Sequence, residues 1–278
     1  MLKAIAQDSP RGATQTLVQL AGPREQRISA ACPHRVANPA MQQDWVNLSF
    51  LHWRYDPAEV QSLLPDGVTV DTCEGCAWVG LVPFLLRVRA PRGPTLPWVG
   101  VFPETNVRTY VRGPDGQHGI WFFSLEAPRR LAVWAARLTY RLPYHLAAME
   151  MVCKGDCRDY ASWRLGEPWR GTSSRARVHV GEPIAPEDVS PLEDFLTARW
   201  RLYAPGSGGI CTAWVEHAPW GLHRATAEDV DTRLLQADGL SAPAGKPLVH
   251  ACDDVHAALT PLMRCKGDER TRVRWGRL

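Results

Sequence analysis

The chain has 278 residues, of which 45% are hydrophobic and 22% charged, and this composition is typical of a folded chain with a substantial core. The net charge of +3 is too small to indicate a nucleic-acid or acidic-membrane partner. The sequence contains no apolar run of about 18 residues and no basic start followed by an apolar stretch, so we predict neither a membrane-spanning helix nor a signal peptide.

The chain divides into an extension and one domain. Residues 1–40 mix Gln, Ser, Pro, Arg and Ala without a sustained period, which predicts a flexible or surface-draped extension. From Trp45 onward, apolar and aromatic residues recur at strand and helix spacing. We therefore predict a single domain over residues 41–278.

Strands dominate the first half of this domain. LSFLHWRY is a predicted strand, and Asp56 and Pro57 then begin a short helix as its N-cap and first helical residue. One hairpin is predicted from VTVDT, through a turn at Glu74–Gly75, to AWVGLVPFLLRVR, followed by a Pro- and Gly-rich loop at residues 91–97. A second hairpin joins ETNVRTYV to GIWFFSLEA through the loop GPDG.

The second half mixes helices and strands. Residues 128–142 have the apolar spacing of a helix, and HLAAMEMVC, DYASWRL and ARVHVGEPI are predicted strands. A helix is predicted over SPLEDFLTARWRLYA, because Ser190, Pro191 and Glu193 form the start of a capping box. CTAWVEHAPWGLHRATA is a predicted strand broken at Pro219. Many strands, hairpin connections and few helices predict an α+β fold around a large antiparallel sheet or barrel.

The eight cysteines are interpreted as reduced thiols of a cytoplasmic protein, because the chain shows no export signal. Cys73 and Cys76 have the spacing of half a zinc site. The nearest second pair, Cys153 and Cys157, is one residue too far apart to complete it. We predict no metal site and no cofactor.

One predicted strand carries a polar face. In PETNVRTYV, residues 103–111, alternation places Glu104, Asn106, Arg108 and Tyr110 in one row. The partner strand IWFFSLE, which contains Phe122, is apolar on both faces, so we expect both sides of the pair to be covered. A covered polar row either forms a structural hydrogen-bond network or binds a ligand, because unpaired buried polar groups are costly.

Three further histidines stand beside aromatic or acidic residues. His52 shares a strand face with Phe50, and it is either a packed core residue or part of a site. Tyr144 and His145 follow a predicted helix, where they either end the helix or present a phenol and an imidazole to one cavity. In VEHAPW, the acid and His217 point to opposite faces of a strand, so at most one of them lines a given site.

Seven segments, in order from residue 45 to residue 225, resemble the YqjF-like family, a domain of unknown function placed with acetoacetate decarboxylase in one superfamily. These segments are LSFLHWRYDP, LLPDGVTVDT, AWVGLVPF, FPETNVRTYV, IWFFSLEA, RLPYH and VEHAPW. The resemblance implies a cone-like antiparallel β-barrel with a few short helices, whose interior forms the ligand site. It also implies that Glu104 matches the active-site glutamate of the decarboxylase.

The covalent step of that decarboxylase does not transfer to this sequence. The decarboxylase forms a Schiff base through a lysine that follows a Phe-Pro pair, and the equivalent position here, in LPYH, is Tyr144. A phenol cannot form an imine. Of the lysines, Lys154 is the nearest in sequence, and we expect it to be exposed in a turn.

These residues predict a lyase-type enzyme that acts on a small keto acid or β-dicarbonyl compound through an enolate, by decarboxylation, dehydration or cyclisation. In this hypothesis Arg108 holds a carboxylate or enolate, Tyr144 or His145 is the general acid–base, and Glu104 is a base or orients Arg108. Further side chains are predicted to bind the substrate: His52, Asn106, Tyr110, Phe122 and His217.

Two alternatives remain open from the sequence. The first is a non-catalytic small-molecule-binding protein that uses the same cavity, and the second is a structural protein whose polar network only specifies the fold. The predicted partner is the small-molecule substrate, with no nucleic acid and no membrane, and the large assemblies of the decarboxylase leave a homo-oligomer open. The Arg- and Ala-rich composition is typical of GC-rich genomes, where by analogy such folds serve specialised metabolite biosynthesis.

Overall fold

A computed structural model describes residues 28–89 and 100–265 of the chain. Within them, the strands are β1 Met41–Val46, β2 Ser49–Tyr55, β3 Thr69–Val70, β4 Ala77–Arg89, β5 Val101–Arg112, β6 His118–Ala127, β7 Tyr144–Lys154, β8 Cys157–Arg164, β9 Ser173–Pro183, β10 Arg201–Gly206, β11 Gly209–His217, β12 Leu222–Asp231, β13 Leu248–Cys252, β14 Val255–Leu259 and β15 Met263–Arg264. The α-helices are α1 Pro57–Ser62, α2 Arg130–Thr139, α3 Pro191–Thr197 and α4 Arg233–Ala237. The predicted loop at residues 91–97 and most of the predicted extension lie outside the described residues.

The strands form one 15-stranded sheet that closes into a ring of 12 strands. Around the ring the order is β1, β14, β11, β10, β6, β7, β8, β9, β12, β13, β2 and β4, and β4 pairs again with β1. Neighbouring strands are antiparallel except for the β10–β6 and β6–β7 pairs. The predicted α+β fold, with a large antiparallel sheet and few short helices, is confirmed.

Strand β5 divides this ring, because it pairs with β4 on one side and with β6 on the other. The first ring, as we call it, consists of β1, β4, β5, β6, β10, β11 and β14. The second ring consists of β4, β5, β6, β7, β8, β9, β12, β13 and β2. We therefore describe two linked rings rather than the single cone-like barrel that the resemblance implied.

Each ring has its own hydrophobic core. Phe84, Phe102 and Leu125 belong to the core of the first ring, whereas Val107 and Val178 belong to that of the second. Alternate residues of β5 contribute to different cores, so both faces of this strand are buried. The expectation that both sides of the β5–β6 pair are covered is confirmed.

The predicted helix starts are confirmed, and one predicted helix end is not. Asp56 caps α1 by accepting a hydrogen bond from the Ala58 amide, and Ser190 and Glu193 form the complete capping box of α3. The helix α3 ends at Thr197, whereas the sequence predicted it to continue to residue 204. The segment from Arg201 becomes β10 because its backbone pairs with β11 and β6. None of the helices in the described ranges has the length and apolar character needed to cross a bilayer.

The part of the extension that is described, residues 28–40, lies near α3, β10 and β11. The Trp200 indole Nε1 donates a hydrogen bond to the Ser29 carbonyl over 3.0 Å. The His34 ring packs edge-on against Trp214, with 3.8 Å between the ring centroids. These contacts place residues 28–40 against the outside of the first ring.

Candidate active site

The first ring encloses a cavity of about 90 Å³. Six of the side chains predicted for the site line it: Glu104, Asn106, Arg108, Phe122, Tyr144 and His217. They come from β5, β6, β7 and β11, so the topology of the sheet brings together residues that are distant in sequence. The remaining wall is largely apolar, which keeps water away from the polar groups and strengthens their electrostatic interactions.

Glu104 and Tyr144 form a buried pair within this cavity. The phenol of Tyr144 donates a hydrogen bond to Glu104 Oε2 over 2.8 Å. Burial raises the pKa of Glu104 to about 7, although the hydrogen bonds from Tyr144 and Asn106 oppose this shift. The pKa of Tyr144 is raised well above its usual value, by burial and by the adjacent carboxylate. Glu104 can therefore gain or lose a proton near neutral pH, which is the property that a general acid–base needs.

The position of Tyr144 is fixed by its backbone. It is the first residue of β7, where it pairs with Leu125 of β6. The Arg137 guanidinium Nε, on α2, donates to the Tyr144 carbonyl over 2.8 Å. The helix and the strand thus hold the phenol towards Glu104.

Arg108 is a buried cation without an acidic partner among the described residues. Its side chain lies over the rings of Phe50 and Tyr110, with the guanidinium carbon 5.2 Å and 5.7 Å from their centroids. Nη2 makes a long hydrogen bond of 3.4 Å to the Leu196 carbonyl, and Nε has no hydrogen-bond partner among the described residues. A buried guanidinium in this state favours binding of an anion, because a carboxylate would supply both the missing charge and the missing acceptor. Glu104 does not supply this charge, since its hydrogen bonds go to Tyr144 and Asn106.

Two more polar atoms in the cavity wall lack hydrogen-bond partners among the described residues. One is the Asn106 side-chain oxygen, and the other is Nη2 of Arg199. Arg199 Nη1 is bound to Asp71 over 2.8 Å. Arg199 was not among the predicted site residues, because its helical spacing placed it within the predicted continuation of α3. In the largely apolar segment FLTARW, the single basic residue is the signal that could have identified Arg199 as a site residue.

His145 lies outside the cavity, contrary to the prediction that it shares a cavity with Tyr144. Adjacent residues of a strand point in opposite directions, and both lie in β7. Burial lowers the pKa of His145 to about 4, and the nearby Arg164 and Arg137 add to this shift. The imidazole is therefore neutral near pH 7, and it does not line the cavity.

His52 and Tyr110, predicted to bind the substrate, bind each other instead. His52 Nε2 and the Tyr110 hydroxyl are 2.6 Å apart, and the hydroxyl donates to the Leu196 carbonyl over 2.6 Å. Neither residue lines the cavity. Tyr110 instead contacts Arg108, whose guanidinium lies over the Tyr110 ring.

His217 and Phe122 line the cavity as predicted. The His217 ring packs against Trp45, Trp200 and Trp220. Its Nδ1 lies 2.6 Å from the Ala218 carbonyl and so acts as a donor, and burial lowers its pKa to about 4. A neutral His217 with an acceptor Nε2 can bind a donor group of a ligand.

Two of the chain's lysines lie in the described ranges. Lys154 is exposed at the end of β7, as predicted, and Lys246 is exposed before β13. Neither side chain lines the cavity. Lys3 and Lys266 lie outside the described residues. In those ranges there is also no group of three or more His, Cys, Asp or Glu side chains that could hold a metal ion.

Two sequence comparisons match most of the chain. A model of the DUF2071 family, described as an uncharacterized conserved protein, matches residues 42–256. The uncharacterized protein YqjF of Bacillus subtilis (strain 168) is 36% identical over 225 residues, which cover 81% of this chain and 92% of that protein.

Two solved structures share the fold. An acetoacetate decarboxylase-like enzyme from Sphingomonas wittichii RW1 aligns with a TM-score of 0.58 at 13% identity, over 92% of this chain and 100% of that one. The enduracididine biosynthesis enzyme MppR, in a complex with pyruvate, aligns with a TM-score of 0.56 at 14% identity, over 83% and 92% of the two chains. The chain therefore belongs to the DUF2071 family, is a homologue of YqjF, and has an acetoacetate decarboxylase-like fold.

Proposed function

We propose that this protein is a lyase-type enzyme that converts a small keto acid or β-dicarbonyl compound through an enolate, without a Schiff-base lysine. The observation that carries the proposal is the pairing of Glu104, with its pKa near 7, to Tyr144 in the cavity that also holds Arg108. An acid–base group and an anion-binding group in one largely apolar cavity are the two elements that enolate chemistry requires.

Each of these groups has a distinct role in the proposed step. Arg108 binds the substrate carboxylate, and ionised Glu104 removes a proton from the carbon next to the carbonyl. The electron pair of the broken C–H bond forms the carbon–carbon double bond while the π pair of the carbonyl moves to its oxygen. The Tyr144 hydroxyl, which donates to Glu104 in the free protein, turns its hydrogen bond to this enolate oxygen as Glu104 takes up the proton. In decarboxylation the C–C bond to the carboxylate breaks instead, its electron pair forms the enolate, carbon dioxide leaves, and a Glu104 that is protonated at the outset donates its proton to the enolate carbon.

The comparisons support the substrate class by analogy of fold. One structural neighbour is described as an acetoacetate decarboxylase-like enzyme and another is bound to pyruvate. The position of Tyr144, and the exposure of Lys154 and Lys246, support a mechanism without an imine.

The proposal is tested by deuterium exchange and carbon dioxide release. The protein is incubated in deuterated buffer with a panel of 2- and 3-keto acids, and exchange at the carbon next to the carbonyl is followed by proton NMR. We expect exchange or decarboxylation above the buffer rate. Glu104→Gln and Tyr144→Phe should lower it by about 10²–10⁴-fold.

A matched control is Glu150→Gln, which removes an exposed carboxylate from β7 and should leave the rate unchanged. Borohydride added with the same keto acids should leave the intact mass of the protein unchanged. An adduct on any lysine, or full activity in Glu104→Gln, would contradict the mechanism. Saturable binding of keto acids without exchange or carbon dioxide release would favour a non-catalytic binding protein.

A further inference from the structure

We propose that the natural substrate carries an extended apolar chain or ring, which lies in an outer groove while its carboxylate lies between Arg108 and Arg199. This inference rests on the proposed function for the identity of the reacting head group. The binding of an apolar tail can be tested without any turnover.

The outer groove is formed by α2, β1 and the paired ends of β4 and β5. It has a volume of about 840 Å³, within the range of about 300–1,000 Å³ that is typical of ligand pockets. Its wall is mainly apolar and includes Leu86, Val88, Phe102, Leu131 and Trp134. Leu131 and Trp134 are 67% and 64% exposed on α2. Large apolar side chains grouped at the rim of a groove are typical of a binding surface.

The outer groove adjoins the inner cavity, and the two share part of their walls. Met41, Gln43, Ala136, Tyr140 and Tyr144 line both of them. Tyr144 therefore stands where the two spaces meet, with its hydroxyl on Glu104.

The charged end of the inner cavity lies away from this junction. Arg108 and Arg199 line the inner cavity and do not line the groove. Along β5, the Cα atom of Arg108 is four residues beyond that of Glu104, about 13 Å at the rise of an extended strand, and both side chains reach the same cavity. The order along the path is therefore the apolar groove, then Tyr144 and Glu104, and then the two guanidinium groups.

The two guanidinium groups suit one carboxylate. Arg108 Nε and Arg199 Nη2 are both without hydrogen-bond partners among the described residues, and both side chains lie over the Tyr110 ring. Two such donors can bind the two oxygens of a carboxylate. With a volume of only about 90 Å³, the inner cavity holds the head group of an acid but not a long substituent, which must then extend past Tyr144 into the groove.

The test measures binding of unreactive carboxylates, from butanoate through hexanoate and octanoate to decanoate, by isothermal titration calorimetry. We expect the dissociation constant to fall by about two- to fourfold for each added methylene that enters the groove. Trp134→Ala should weaken decanoate binding by about tenfold and leave butanoate binding unchanged. Arg108→Ala should weaken the binding of every member of the series.

Leu138→Ala is the matched control. Leu138 is a 61% exposed apolar residue of the same helix, but it does not line the groove. Its replacement should not change the affinity for any chain length.

Three outcomes would overturn the inference. The first is an affinity that does not depend on chain length, and the second is a dependence that persists unchanged in Trp134→Ala. The third is a dimer, measured by light scattering, that Trp134→Ala dissociates without any effect of chain length, since α2 would then contact a second copy. Chain-length dependence without keto-acid turnover would support an apolar-tail site in the groove and contradict the proposed enzymatic function. Turnover without chain-length dependence would support the enzymatic function and contradict the apolar-tail site.

Discussion

The ionisation of Glu104 couples the chemistry of the cavity to the stability of the protein. Burial raises the pKa of this carboxyl to about 7, from an ordinary value of 4.5, and the hydrogen bonds of Tyr144 and Asn106 offset part of that effect. The folded protein therefore holds this proton more tightly than the unfolded chain does. The resulting stabilisation is complete below about pH 4.5 and is lost as the pH rises through 7.

Glu104→Gln should remove this pH dependence. Between pH 4 and pH 8, the free energy of unfolding of the wild type should fall by about 3 kcal/mol relative to that of the variant, because the variant has no proton to lose at this position. Urea unfolding at several pH values measures the difference. Glu126 also has its pKa raised to about 7, by burial, but it is present in both proteins and cancels in the comparison.

The control for this experiment is again Glu150→Gln, at an exposed position. Its stability should follow that of the wild type at every pH. If Glu104→Gln also follows the wild type, the carboxyl of Glu104 does not have the raised pKa on which the proposed acid–base role depends.

At the level of single residues, strand alternation was sufficient to predict much of the site. It placed Glu104, Asn106 and Arg108 on one face of β5, where all three line the cavity. The same rule excludes His145, but the sequence indicated a strand beginning at His145 rather than at Tyr144. Because the predicted strand began one residue too late, Tyr144 was not assigned to it. The opposite orientations of Tyr144 and His145 could therefore not be recognised.

Among the elements, α3 supports the deep end of the cavity. The Leu196 carbonyl, near its C-terminal end, accepts hydrogen bonds from Arg108 and from Tyr110, and Thr197 lines the cavity itself. The position of this helix end therefore affects the orientation of the Arg108 guanidinium. The start of the helix is stabilised by the capping box of Ser190 and Glu193.

Ser190→Ala should lower the free energy of unfolding by about 1 kcal/mol, because the Glu193 amide loses its acceptor. It should also weaken the binding of butanoate, since α3 carries the carbonyl that holds Arg108. Urea unfolding and calorimetry measure the two effects. Asp56→Ala removes the equivalent cap of α1, which does not contribute to the cavity wall. A similar loss of stability with unchanged butanoate affinity is expected for Asp56→Ala, and equal loss of affinity in both variants would contradict the role of α3.

The two ends of α3 also show what can be predicted for an element. Its start depends on side chains within three residues of one another, so the local sequence was sufficient. Its end depends on β10, whose backbone pairs with β11 and with β6, far away in sequence. Local helical spacing through Arg199 carries no information about those partners.

In the whole molecule, β5 is the wall between two cores. Val107 is fully buried in the core of the second ring, and its neighbours Asn106 and Arg108 face the cavity of the first. The sequence predicted a covered strand but not the division into two rings. Nothing in local spacing indicates that β4 and β6 each pair with β5 and also with strands of the surrounding ring.

Val107→Ala should separate these two roles of β5. Loss of two buried methyl groups should lower the free energy of unfolding by about 2 kcal/mol, while the affinity for butanoate remains that of the wild type. Chemical unfolding and calorimetry provide the two values. A parallel loss of affinity would show that the two cores are mechanically coupled through the shared wall.

The closure of the first ring by β1 and β14 has a consequence for biosynthesis. The two strands pair from Met41 with Leu259 to Trp45 with Val255, near opposite ends of the described chain, and Met41 and Leu259 both line the cavity. A nascent chain emerging from the ribosome can form the earlier hairpins, but it cannot complete the cavity until β14 has been translated. The cavity is thus completed only after β14 has been synthesised, and a chain truncated before β14 would lack it even where most of its strands had folded.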